Sequence, residues 1–168
     1  LIAASRGIPL LCRFSADDNL CPEDSLIEAS ALKDYSLFGG LLPDEIESIR
    51  PLMGSASFEA GTEILREGDP NDRIYFILEG CVNIEKGGVS LVRLREGDTF
   101  GEMEFLDVMP AAATVRSLVP STVATISNHA LHELSKASMR AFAMIIMNLA
   151  RDLSRRLRRM DEIVAKGL

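Results

Sequence analysis

Between Ala56 and Ser127 the chain is cut into short apolar or β-branched runs by closely spaced turn signals. The turns are Glu59-Ala60-Gly61, Glu67-Gly68-Asp69-Pro70-Asn71-Asp72, Glu79-Gly80, Lys86-Gly87-Gly88 and Arg95-Glu96-Gly97-Asp98. Between them lie runs such as Ile74-Tyr75-Phe76-Ile77-Leu78 and Val82-Asn83-Ile84. Strands separated by turns about every 8–12 residues predict an antiparallel sandwich or barrel. Gly87-Gly88 reads as a hairpin turn, because glycine enters positive φ without a Cβ penalty.

Helical patterns bracket this region. Pro22-Glu23-Asp24 resembles a helical first turn of acids behind a fixed-φ proline, and Leu26, Ile27, Leu32 and Tyr35 continue a loose helical face. Leu1 to Leu20 shows no period and reads as an arm. A second short helix is expected over Pro43–Ile49. Beyond the strands, Asn128 is expected to cap His129–Lys136, Ser138 to cap a long helix from Met139 to about Lys166, and Gly167 to sit past its end. The fold class predicted is mainly β with flanking helices. It is an antiparallel β-barrel or jelly roll (a double-stranded β-helix) with N-terminal helices, a short inserted helix and a long C-terminal helix. The expected divisions are an arm and helix at 1–37, the barrel with its flanking helices at 38–136, and the long helix at 137–168.

A chain of 168 residues, 47% hydrophobic, suffices for one core without disulfide staples. Its longest apolar run, Ala141 to Met147, is far short of the roughly 18–20 residues that span a bilayer. A net charge of −7 argues against nonspecific binding to DNA or anionic membranes. Three cysteines, Cys12, Cys21 and Cys81, make no even framework and read as reduced thiols in the cytoplasm. Leu1–Leu11 lacks the features of a signal peptide, and a chain starting at Leu1 reads as an excised or processed fragment.

One segment carries chemistry. Gly97 to Val115 reads GDTFGEMEFLDVMPAAATV: a glycine turn, a short acidic helix beginning at Glu102, then Pro110 leading into a small-residue strand. In the domain that this segment resembles, the free N–H groups and positive dipole end of such a helix face an anion. Together with Phe58, Gly61, Ile64, Glu67-Gly68-Asp69, Tyr75-Phe76-Ile77-Leu78, Gly80 and Gly97-Asp98, it resembles the cyclic-nucleotide-binding domain of kinase regulatory subunits, cation channels and bacterial catabolite regulators. The resemblance runs from about Phe38 to Met160.

The resemblance implies a set of ligand-binding residues: Phe100, Gly101, Glu102, Met103, Ala111, Ala112 and Ala113. Glu102 matches the glutamate that accepts a ribose 2′-OH, and Gly101 the glycine that lets the backbone approach the sugar. The N–H at the position of Ala112 commonly reaches the cyclic phosphate. Two residues depart from the pattern. Ala111 replaces the arginine that pairs with the phosphate, a charged hydrogen-bonding group worth roughly 1.5–3 kcal/mol. Glu104 stands where a small residue is usual and would repel a phosphate if it faced inward. Arg116, Arg151 and Arg155 are candidate substitutes or lid residues. Strand parity, however, puts Arg116 on the face of Ala112 and Thr114 rather than that of Ala111.

The implied ligand is cAMP or cGMP, and no cofactor is required. Ala112 lacks the hydroxyl that in the family often helps hold the guanine amino group, which slightly favours cAMP. A nucleotide-free scaffold or dimerisation domain is the alternative, resting on Ala111. His129 and His132 are three apart on an expected helix but have no third ligand, so no metal site is expected. No catalytic constellation is found, so the chain is not expected to be an enzyme.

Phe142, Ile146, Leu149, Leu153, Leu157, Met160 and Val164 form an apolar stripe flanked by Arg151, Arg155, Arg156, Arg158 and Arg159. Its first turns are expected to pack on the barrel. The later turns outrun it, which predicts a homodimer through the Met139–Val164 helix. No DNA-binding segment follows within the chain.

Overall fold

Ile74, Tyr75, Phe76 and Ile77 are all buried, and their period-2 alternation divides the molecule into two apolar clusters. Tyr75 and Ile77 face a barrel interior, with Leu65, Val82, Leu94, Phe100, Ala111, Val115 and Val123. Ile74 and Phe76 face the opposite way, into a layer of helices. The structure, a computed structural model, describes Leu32 and residues 35–167. The expected arm and most of the expected first helix lie outside the described residues.

Eight strands run along the described chain: β1 (Met53–Phe58), β2 (Glu63–Leu65), β3 (Arg73–Glu79), β4 (Cys81–Lys86), β5 (Val89–Arg95), β6 (Thr99–Phe100), β7 (Thr114–Ser117) and β8 (Ser121–Ser127). They form two four-stranded sheets, ordered β1-β8-β3-β6 and β2-β7-β4-β5, with every pairing antiparallel. This is the jelly-roll arrangement expected from the turn spacing. Gly87 and Gly88, at φ 56° and 79°, turn β4 into β5 with Lys86 opposite Val89. Both positive angles are those of a type I′ turn, which matches the strand twist.

Four α-helices complete the described chain: α1 (Pro43–Ile49), α2 (Glu102–Asp107), α3 (Asn128–Ala137) and α4 (Met139–Ala165). Leu37, Phe38, Ile46, Ile49, Leu131, Leu134, Ile145 and Leu149 cover the outer face of the β1-β8-β3-β6 sheet. Phe76 receives the edges of Tyr35 and Phe38, at centroid distances of 4.6 and 5.7 Å. The cap of α3 differs from expectation by one residue. Ser127, still extended at φ −82° and ψ 163°, accepts the Ala130 N–H at 3.1 Å, and Asn128 is already helical.

Ser138 caps α4 as expected, accepting the Ala141 N–H at 3.1 Å, and Gly167 follows its end at φ 73°. At 27 residues α4 is about 40 Å long. Its buried face consists of Ala141, Ile145, Asn148 and Leu149, of which only Leu149 belongs to the expected stripe, so the face is rotated round the helix from the rest of it. Phe142, Ile146 and Leu153 are half-buried, whereas Leu157, Met160 and Val164 are exposed. Ala141, fully buried, has a methyl side chain that permits close packing against α3 and the Ser36–Phe38 segment, the elements α4 mainly contacts. Two polar clamps fix α4 to the segment before the barrel. Asn148 donates to the carbonyls of Leu37 and Gly39, each at 2.9 Å, and Arg140 reaches Glu45 and the Gly40 carbonyl.

Candidate ligand-binding cassette

Phe100 ends β6 opposite Tyr75, and the two rings stack at 4.7 Å with an interplanar angle of 1°. The chain then reverses at Gly101, φ 77°. A Cβ there would lie 2.7 Å from the Arg73 carbonyl oxygen and 2.9 Å from Asn71 Nδ2. Both the left-handed angle and this crowding exclude a side chain. Asn71 fastens the reversal by donating to the carbonyls of Arg73 (2.7 Å) and Gly101 (3.3 Å).

From this turn α2 begins with two acids that are buried, not solvated: Glu102 is 3% exposed and Glu104 6%. Met103 between them is exposed. Burial pushes the Glu102 carboxyl above its ordinary range; Arg156 opposes that shift, while Asp152 and Glu104 add to it. Arg156 comes from α4. It donates to Glu102 Oε1 at 3.0 Å, to Asp152 Oδ2 at 2.6 Å, and to the hydroxyl and carbonyl of Thr99. Glu102 Oε2 is buried with no hydrogen-bond partner. A buried carboxylate oxygen left in that state is a strong acceptor awaiting a donor.

The far side of the cassette is built from backbone. The Ala111 N–H donates to the Asp69 carbonyl and the Gly68 N–H to the Ala111 carbonyl, both at 2.8 Å. This clasp ties the strand after Pro110 to the Glu67-Gly68-Asp69 turn. It aims the Ala111 methyl into the barrel interior, where it is 3% exposed among Leu65, Phe100 and Val115. The next N–H, that of Ala112, donates to Glu104 Oε1 at 2.8 Å. Lys86 Nζ reaches the Ala112 carbonyl at 2.9 Å, and Ala112 and Ala113 are half-buried.

Phe100, Gly101, Glu102, Ala111 and Ala112 are thus brought around one locus. The three expected arginines point elsewhere. Arg116 lies on the outer face of β7, bonded to the Gly61 carbonyl (3.0 Å) and Glu63 (2.9 Å). Arg151 bonds Asn148 Oδ1 at 3.0 Å, and Arg155 lies 3.7 Å from Asp152. Both line an open groove on the outer side of α4 with Met147 and Arg158. The arginine that does reach the cassette is Arg156, seven residues beyond the buried Leu149 and four beyond Asp152. That two-turn spacing from Leu149 was a readable signal, had Leu149 been known to mark the buried face. His129 and His132 are exposed on α3, and no cluster of three or more metal-ligating side chains occurs among the described residues. No helix among them is long and apolar enough to cross a membrane.

A glycine-reversed acidic turn over a jelly roll, closed by a long helix, has recognisable relatives. The family model described as the cyclic nucleotide-binding domain matches residues 55–138, half of the chain. This chain belongs to that family. A cAMP-dependent protein kinase regulatory subunit from Debaryomyces hansenii is 31% identical over 104 residues, 61% of this chain and 23% of the relative. A protein named Glutaminase 1 from Bradyrhizobium diazoefficiens is 30% identical over 131 residues, 77% of this chain and 21% of the relative. The domain therefore spans less than a quarter of the length of these curated relatives. Among solved structures, a cyclic nucleotide-binding domain from Methylobacillus flagellatus superimposes with a TM-score of 0.74 at 27% identity. The match covers 83% of this chain and 82% of that one.

Proposed function

We propose that this domain is a cytoplasmic regulatory module, not an enzyme, that responds to a cyclic nucleotide, with cAMP favoured over cGMP, and transmits its state through α4. One observation carries the reading: Glu102 is buried with one oxygen held by Arg156 of α4 and the other unpartnered. A ribose hydroxyl donating to Oε2 would complete the coordination of the same carboxylate that anchors the helix. Ligand and helix then meet on one residue, and occupancy biases how firmly α4 is held. The exposed Leu157, Met160 and Val164 on α4 are proposed to pair with a second copy of the chain, so that a change in α4 alters a dimer.

Two residues support a second reading, a nucleotide-free scaffold. Ala111 sits in an apolar cluster, and the Glu104 carboxylate already occupies the Ala112 N–H. Titration calorimetry with cAMP and cGMP separates the two. The sensor reading expects saturable cAMP binding with a Kd of about 10 μM or tighter, weakened at least ~tenfold by Glu102→Ala. No heat at millimolar concentrations of either nucleotide establishes the scaffold reading instead.

A further inference from the structure

Glu104 is an unexpected residue to find buried. It is 6% exposed, its neighbour Glu102 is also buried, and no cation is bonded to it among the described residues. What it has is a backbone donor: Oε1 accepts the Ala112 N–H at 2.8 Å. That N–H cannot be satisfied by the strand, because regular pairing of β7 with β4 begins only at Thr114. The donor is held in place by the clasp at Ala111, whose own N–H and carbonyl are engaged by Asp69 and Gly68. A fixed, half-buried N–H without a strand partner, presented to a buried anionic oxygen, is an anion site, and the chain fills it with its own carboxylate.

We propose that the Glu104 carboxylate is a resident anion, occupying the Ala112 N–H in place of a ligand's anionic group and excluding free anions from it. For the module this makes Glu104 a determinant of ligand charge. A cyclic phosphate reaches Ala112 only by displacing a tethered carboxylate that repels it, and a neutral side chain at position 104 removes that repulsion. The second statement rests on the nucleotide reading given above; the first does not.

Glu104→Ala removes a CH2–COO− unit and so leaves a space with the shape and charge preference of acetate. The test is thermal unfolding of the wild-type chain, Glu104→Ala and Glu104→Gln in sodium acetate, sodium phosphate and sodium chloride at matched ionic strength. Acetate is expected to raise the midpoint of Glu104→Ala saturably above its value in chloride. The wild type and Glu104→Gln, whose amide oxygen still accepts from Ala112, should show no such rise. If Glu104→Ala does not fold in chloride, recovery of folded protein in acetate is the readout. Equal behaviour in acetate, phosphate and chloride overturns the proposal. In parallel calorimetry, Glu104→Gln is expected to bind cAMP at least about tenfold more tightly than wild type. If cAMP binds both forms equally, Glu104 does not set ligand charge. If acetate rescues Glu104→Ala but no form binds cAMP or cGMP, the resident anion stands and the nucleotide reading falls.

Discussion

The two ends of α4 are held by different physics. Its first turns are sunk in the helical layer: Ala141, Ile145 and Leu149 are almost fully buried, and Asn148 adds two hydrogen bonds to backbone carbonyls. Further along, the contact with the barrel narrows to Asp152 and Arg156, which meet Glu102 and Thr99 through polar groups. Beyond Arg156 the helix touches nothing comparable, and Leu157, Met160 and Val164 face outward. Apolar burial is non-directional and insensitive to charge, so the first part is structural. A charged latch on a buried carboxylate is directional, so the second part is where the proposed ligand would act.

The contrast breaks most visibly at the buried end. Ile145→Ala is expected to lower unfolding free energy by about 2–5 kcal/mol in chemical denaturation, because it removes a fully enclosed side chain and leaves a cavity. A loss below about 1 kcal/mol would mean that the first turns are not what fastens the helix.

At the latch, Arg156→Gln strands Glu102 and is expected to destabilise by about 2–3 kcal/mol at neutral pH. Amide exchange should quicken after Asp152 and stay slow before Leu149. The latch also carries a pH signature. Burial raises the Glu102 carboxyl above 4.5, so the folded state binds its proton more readily than the unfolded chain does. The stability linked to this group is therefore fully present below pH 4.5 and is lost as pH rises through the raised value. Wild type should fall relative to Glu102→Gln as pH rises from about 4.5 to 7, and parallel curves would refute the shift.

At the exposed end the smallest effect on stability is expected. Leu157→Asp should change unfolding free energy by no more than about 0.5 kcal/mol. Sedimentation should nevertheless show the wild-type dimer giving way to monomer. A wild-type chain that is monomeric at high concentration would defeat the dimer proposal.

The barrel was legible from its punctuation. Gly87-Gly88, Glu79-Gly80 and the Glu67–Asp72 run placed strand ends where the structure has them, because each demands backbone angles that a continuing strand forbids. The locus of the cassette was legible only through the family resemblance; the left-handed angle at Gly101 that turns the chain there is a finding of the structure. Two features escaped. Which arginine meets Glu102 depends on how α4 is rolled, and Ala141 and Ile145 set that roll rather than the bulkier Phe142, Ile146 and Leu153 that dominate the pattern. The inward aim of Glu104 had no periodic signal, because α2 has six residues flanked by left-handed Gly101 and Val108. A helix that short has no face to read.

Asn148 and Arg140 have a mechanical consequence. One side chain grips the carbonyls of residues 37 and 39, the other Glu45 and the carbonyl of residue 40. The point where the polypeptide enters the barrel is thereby riveted to the rod that leaves it. A slide of α4 along its axis cannot be absorbed silently at one terminus of the domain. It would have to break these hydrogen bonds or carry residues 37–45 along with the helix.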